Sequence, residues 1–243
     1  NKNNEQLAGV LHQPPGRQKF PAVIICHGFG GTKSDKKFVR LARALVKVKT
    51  VCYRFDFTGC GDSEGDFTKG TIKRQIADLD QAITFLQQQK NINKNKIAFL
   101  GHSLGGAIVA IYAAQNNFPA KTLILWAPAF NQKELLKMWN ADGQLAKWKK
   151  QGFIIRKENK IGRAYLEENE NKDYSSIIAK IKAPILVIHG AKDETVPVKF
   201  SQKLAQNFKN VKLQILPLAD HKFEDYNVQE RLVKETVRWL KKL

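Results

Sequence analysis

The stretch Gly101-His102-Ser103-Leu104-Gly105-Gly106 constrains this chain more than any other. It follows the apolar run Ile97-Ala98-Phe99-Leu100 and leads into Ala107-Ile108-Val109-Ala110-Ile111-Tyr112-Ala113-Ala114. A buried strand, a tight turn and a helix are implied, with a serine at the apex. Glycine has no Cβ, so glycines on either side of Ser103 let two backbones approach closely enough for a strained turn to hold the hydroxyl in the open. The same turn puts that hydroxyl at a helix N-terminus, where free N–H groups and the dipole favour developing negative charge. This is the pattern of a nucleophile elbow. Alone it is a weak signal, because with glycine near 7% of residues G-x-S-x-G arises by chance in roughly one chain in ten or twenty of this size. The rest of the chain has to supply what an exposed serine needs.

Along the chain, apolar runs alternate with amphipathic stretches. Leu7 to His12 reads as a short strand ended by Pro14-Pro15-Gly16. Pro21-Ala22-Val23-Ile24-Ile25-Cys26 is continuously apolar, the mark of a strand buried on both faces, and opens into His27-Gly28-Phe29-Gly30-Gly31. Ser34 or Asp35 can cap the next helix, in which Phe38, Leu41, Ala42, Leu45 and Val46 fall at helical spacing. Thr50 to Asp56 is a further strand, followed by the glycine-punctuated loop Thr58 to Gly65 and a helix marked by Ile72, Ile76, Leu79, Ile83 and Leu86. After the elbow and its helix comes the strand Thr122 to Trp126. From about Ala129 to Lys182 the sequence is charged and irregular, with no clean strand. Alternation resumes with Pro184 to Ile188, a helix from Val198 to Phe208, a strand from Val211 to Leu216 and a closing helix through Leu240. Strands alternating with helices predict an α/β fold, a mostly parallel central sheet flanked by helices. The expected organisation is one core made of residues 1–128 and 183–243, with 129–182 inserted as a cap.

An exposed serine hydroxyl becomes a nucleophile only when a base takes its proton and a third group holds the base. Past the strand ending at Ile188 lies His189-Gly190-Ala191-Lys192-Asp193-Glu194, and past the strand ending at Leu216 lies Pro217-Leu218-Ala219-Asp220-His221. Loops at the carboxyl ends of parallel strands gather at one rim. The order serine, acid, histidine therefore reads as Ser103, Asp193 and His221, with Glu194 the less favoured acid because it follows directly and points elsewhere. His27 and His102 flank glycines and read as braces of the two turns, whereas Asp220 reads as a turn or capping residue. The backbone N–H groups of Leu104 and Phe29 are the expected oxyanion donors.

These residues together resemble the α/β-hydrolase superfamily over nearly the whole chain. Several segments also resemble the bacterial cinnamoyl/feruloyl esterases: His27-Gly28-Phe29, Arg54-Phe55-Asp56-Phe57, Gly61-Asp62-Ser63-Glu64-Gly65, Gly101-His102-Ser103, Ala127-Pro128-Ala129 and Ala219-Asp220-His221. The resemblance implies the α/β-hydrolase fold, Ser103, Asp193 and His221 as a catalytic triad, Phe29 and Leu104 as the oxyanion hole, and a mainly structural Asp56. It also implies a serine esterase acting on small to medium esters, hydroxycinnamoyl-type ones included, with no metal or cofactor. Trp139 and Trp148 are the candidate aromatic residues of a substrate pocket in the lysine-rich insertion, and Trp126 reads equally as acyl-pocket wall or core. Acylglycerol lipase, thioesterase or acylaminoacyl-type peptidase activity are the alternatives, and a catalytically silent binding protein is the non-enzymatic one.

Charge and cysteines bear on partners and setting. Lys and Arg number 41 against 22 Asp and Glu, a net charge of +19. The lysines are spread over nearly every helix and loop without a patch or an RNA-binding motif, so a compositional bias on solvated faces is expected and no nucleic-acid partner. Cys26, Cys52 and Cys60 are odd in number, lack metal-ligand spacing and read as buried free thiols in a reducing, cytoplasmic setting. No run approaches the ~20 apolar residues of a membrane span. The first residues, Asn1-Lys2-Asn3-Asn4-Glu5, lack the apolar region of a signal peptide and the initiator Met. A trimmed or recombinant chain is therefore expected, and a homodimer is compatible with the sequence.

Overall fold

The computed structural model describes residues 4–116, 118–140, 143–156 and 159–241. Seven strands form the central sheet: β1 (Gly9–His12), β2 (Phe20–Cys26), β3 (Val51–Phe55), β4 (Ile92–His102), β5 (Leu123–Trp126), then β8 (Ile185–Gly190) and β9 (Val211–Leu216). Their order is β1-β3-β2-β4-β5-β8-β9, with β1 antiparallel to β3 and every other pair parallel. Strands β3, β5 and β8 are buried throughout, as is the second half of β4, because helices cover both faces. Helices α2 (Ile72–Gln88) and α3 (Leu104–Gln115) bury Leu79, Ile83, Ile108 and Ile111 on one face. Helices α1 (Lys36–Lys47) and α8 (Tyr226–Leu240) bury Phe38, Leu41, Leu45 and Leu232 on the other. Asp35 rather than Ser34 caps α1, accepting from the Lys37 amide.

Between β5 and β8 the chain leaves the sheet and forms α4 (Gln132–Trp139), α5 (Gln144–Gln151), the hairpin β6 (Phe153–Arg156) with β7 (Asn159–Gly162), and α6 (Arg163–Asn169). The hairpin corrects the expectation of no clean strand in this region. Each strand has four residues, and Ile154 and Ile161 face each other as buried partners, too short a pattern to stand out from its charged neighbours. Two contacts tie the segment to the core. A Cβ on Gly162 would lie 1.9 Å from the Thr68 carbonyl oxygen, so only glycine permits β7 to dock there. The Glu168 carboxylate accepts from the amides of Ile72 and Lys73 at the start of α2, where free N–H groups favour an anion. Among the described residues no helix is long and apolar enough to cross a membrane, and the three cysteines are free and buried.

The loop after β3 is held by a buried ion pair. Asp56, fully buried, accepts from the Lys33 amide and from Lys33 Nζ at 2.6 Å, and also from the Asp62 amide at 3.0 Å. Asp56 thus ties the segment after β2 to the glycine-rich loop after β3. Lys33 Nζ also pairs with the Asp62 carboxylate, but that group is exposed, so losing Asp56 leaves the ammonium without its buried partner and two amides without an acceptor, at a cost of about 3–5 kcal/mol. Asp56→Ala is accordingly expected to lower the urea-unfolding free energy by about 3–5 kcal/mol; a loss under about 1 kcal/mol would mean the pair is not structural.

Candidate active site

The turn at Ser103 is as tight as glycine allows. Ser103 itself has φ 54° and ψ −119°, a left-handed backbone that costs energy in a residue with a Cβ. A Cβ on Gly101 would lie 2.2 Å from the Gly105 carbonyl oxygen, and one on Gly105 would lie 2.4 Å from the carbonyls of Cys26 and His27. These approaches press the start of α3 against the end of β2. Gly28 completes the fit, since a Cβ there would meet that of Ser103 at 3.0 Å.

Two further loops reach the serine from the adjoining strands. His221 Nε2 lies 2.9 Å from Ser103 Oγ, and His221 Nδ1 lies 2.8 Å from Asp193 Oδ2. The loops are stitched together by the Lys192 amide donating to the Ala219 carbonyl, and Gly190 passes so close to that carbonyl that a Cβ would lie 2.2 Å away. Asp193 Oδ1 accepts from the amides of Thr195 and Val196. Burial alone would raise the Asp193 pKa, but hydrogen bonds from His189 and His221 and from the Val196 amide outweigh it and hold the carboxyl well below the usual carboxylate range. The geometry therefore joins Ser103, His221 and Asp193 in one hydrogen-bonded relay. Glu194 takes no part in it. Asp220 accepts from the Glu224 amide, as a turn residue does.

Sequence reasoning missed one member of this network. His189, fully buried, places Nε2 3.0 Å from Asp193 Oδ2 and 2.8 Å from the Val196 carbonyl, while Nδ1 lies 2.7 Å from Ser201 Oγ. Nε2 thus donates to the Val196 carbonyl while resting against the same carboxylate oxygen that His221 contacts. The available signal was its place at the last turn of a buried strand four residues before Asp193, where an apolar residue would otherwise be expected.

His27 and His102 brace the turns. His27 Nδ1 donates to the Gly28 carbonyl and Nε2 accepts from the Phe57 amide; His102 Nε2 donates to the His221 carbonyl at 2.8 Å. Burial pushes both pKa values down, that of His102 well below the histidine range with help from Lys37 and His221. The amides of Phe29 and Leu104 take no protein acceptor among the described residues, and Leu104 is the first residue of α3, where an amide has no partner within the helix.

Ser103 opens into a cavity of about 800 Å³ whose wall includes Phe29, Trp139, Tyr165, Arg156, Val196 and His221. Of the three candidate tryptophans only Trp139 lines it. Trp126, at the end of β5, turns to the α1 and α8 face, stacks on Phe38 and donates Nε1–H to Thr236 Oγ1. Trp148 is fully buried on the inner side of α5, away from the cavity. Tyr165 takes a place in the wall that sequence reasoning did not assign, its ring 4.9 Å from that of Phe29 and 6.5 Å from that of Trp139.

The profile of the hydrolase family described as serine aminopeptidase, S33, matches residues 17–176, more than half of the chain. The chain belongs to this family. Among curated relatives of this S33 chain, an uncharacterized 31.7 kDa protein of Escherichia coli from the traX-finO intergenic region is 31% identical over 115 residues, covering 47% of the chain and 40% of that protein. Esterase EstD of Thermotoga maritima is 23% identical, covering 97% of the chain and 66% of that protein. The chain spans roughly half the length of several of the curated relatives it matches. Among solved structures, ferulic acid-bound Est1E of Butyrivibrio proteoclasticus superposes with a TM-score of 0.84 at 23% identity, covering 98% of this chain and 97% of that one. This likeness places the S33 chain in the α/β-hydrolase fold.

The two lowered histidines have a consequence for stability. Between their folded pKa values and the ~6.5 of an unfolded histidine, unfolding takes up a proton, so stability falls as pH drops below ~6.5. His102→Gln keeps an N–H for the His221 carbonyl and removes one titration. The pH dependence of unfolding free energy between pH 6 and 5 is expected to shrink by up to about 1.4 kcal/mol per pH unit in this variant. Denaturant titrations at several pH values measure it, and an unchanged slope would contradict a neutral buried His102.

Proposed function

We propose that the protein is a serine carboxylic-ester hydrolase working through an acyl-enzyme. The observation that carries this reading is the Ser103–His221–Asp193 relay, whose Ser103 and His221 line the cavity together with Phe29 and Leu104, residues whose amides have no protein acceptor among the described residues. Ser103 Oγ attacks the ester carbonyl carbon as its proton passes to His221 Nε2. Asp193 holds Nδ1–H of the imidazole and balances the imidazolium; His189 positions Asp193. The amides of Phe29 and Leu104 receive the oxyanion. His221 then protonates the departing alcohol oxygen as the C–O bond breaks, leaving Ser103 acylated. Water deacylates the serine by the same route, giving its proton to His221 and releasing the acid. No cofactor enters this scheme.

Residues 129–182 act in this reading as the cap that shapes the substrate site. The wall formed by Phe29, Trp139 and Tyr165 suits a flat or aromatic acyl group of small to medium size. A second reading, an acylglycerol lipase or thioesterase for longer chains, draws support from exposed Ile155 and Met138 on that segment. Hydrolysis of an acyl series from acetate to palmitate, with methyl ferulate included, separates the two by where the rate peaks.

The triad assignment is tested with a serine-directed phosphonate and with p-nitrophenyl acetate. Wild type is expected to take up one phosphonate per chain and Ser103→Ala none. kcat is expected to fall about 10⁴-fold or more in Ser103→Ala and His221→Ala, and about 10⁴-fold in Asp193→Asn. Rates near wild type in any of the three, or labelling that survives Ser103→Ala, would reject the assignment.

A further inference from the structure

The cavity wall carries a cation that the relay does not use. Arg156, the last residue of β6, lines the same cavity as Ser103, and its guanidinium carbon lies 4.3 Å from the centre of the Trp139 ring. Trp139 in turn lies 5.9 Å from Phe29, whose loop abuts Ser103 through Gly28. A path of aromatic faces therefore runs from the serine to the guanidinium.

The other charged side chains at the cavity are accounted for. Asp35 pairs with Lys37, Glu224 pairs with Lys222 at 3.2 Å, and Lys36 is exposed. Among the described residues no carboxylate lies within ion-pair distance of Arg156. Its partial burial lowers the guanidinium pKa, a sign of charge taken from water without compensation, but a guanidinium stays protonated at neutral pH. The guanidinium lies over the Trp139 ring and its N–H groups meet no protein acceptor among the described residues; a planar fork of such donors matches a carboxylate. A net charge of +19 also concentrates anions around the molecule.

From this arrangement we infer that Arg156 is an anion anchor, and that the preferred substrate is an ester bearing a carboxylate remote from the scissile carbonyl. The substrate half of the inference rests on the ester-hydrolase reading; the anion site itself does not. The carboxylate can belong to the acyl part or to the alcohol part, and each arrangement has its own probe.

For the acyl side, p-nitrophenyl hydrogen glutarate is compared with p-nitrophenyl butyrate; for the alcohol side, 4-acetoxybenzoate is compared with phenyl acetate. In at least one pair the anionic ester is expected to show the higher kcat/KM, with the anionic-to-neutral ratio falling about tenfold or more in Arg156→Gln. Arg156→Lys should restore part of it by keeping the charge without the planar fork. Lys160→Gln, on the same hairpin but with its ammonium over the Phe153 ring and outside the cavity wall, should leave the ratio unchanged. Thermal unfolding checks that each variant is folded. Glutarate binding to Ser103→Ala protein, read calorimetrically, needs no turnover and should weaken at least tenfold when Arg156→Gln is added. A ratio that Arg156→Gln leaves unchanged in both pairs overturns the proposal. If neither pair is turned over, the ester-hydrolase reading falls, and glutarate binding alone decides: loss in the double variant upholds the anion site, and no change overturns it.

Discussion

The arrangement at the rim depends on how closely α3 approaches the end of β2. Gly105 stands where a Cβ would lie 2.4 Å from two carbonyl oxygens of the neighbouring strand and loop. At that distance the helix start, the turn holding Ser103 and the loop of Gly28 and Phe29 become one rigid unit. The unfavourable backbone of Ser103 persists because its amide donates to the Trp126 carbonyl and its own carbonyl accepts from Gly106 and Ala129. Strain in the turn is thus balanced by hydrogen bonds to the next strand, and the hydroxyl is left facing the cavity.

Around that unit the fold keeps buried polar groups in complementary pairs. His27 and His102 each have both a buried setting and a fitting partner, so each stays neutral and acts as a fixed strut, and buried His189 is held between Ser201 and the Val196 carbonyl. Asp193 is surrounded by donors: two amides on one oxygen, and on the other the His221 imidazole, with His189 Nε2 3.0 Å away. A carboxylate satisfied in this way holds His221 in one orientation and tautomer. Asp56 and Lys33 likewise fix the backbone after β2 and β3, outside the cavity wall.

The segment between β5 and β8 gives the cavity its chemical character. It contributes an aromatic face through Trp139 and Tyr165 and a cation through Arg156, whereas the core contributes the relay and the backbone donors. The docking of Gly162 on Thr68 and of Glu168 on the start of α2 holds this segment at two points on one side of the cavity.

The strand–turn–helix at Ser103, the alternation that makes a parallel sheet, and the loops carrying Asp193 and His221 were all legible in the sequence. Burial on both faces leaves continuous apolar runs, and backbone geometry at the elbow admits only glycine at particular positions; both are local demands that show in residue order. The hairpin β6–β7 was not legible, because its two buried isoleucines make too short a pattern. Nor did the sequence distinguish Trp139 from Trp126 and Trp148, since side-chain direction at a strand end or on a short helix depends on which neighbour is packed against it. His189 on Asp193, Tyr165 beside Phe29 and Arg156 over Trp139 are contacts between residues whose meaning lies in proximity alone. The sequence by itself determined the fold class and the chemical types gathered at the rim; the tertiary structure decided which of those groups share a proton, line the cavity or lie buried outside it, because distances of 3–4 Å across separate elements are set only when the whole chain has packed.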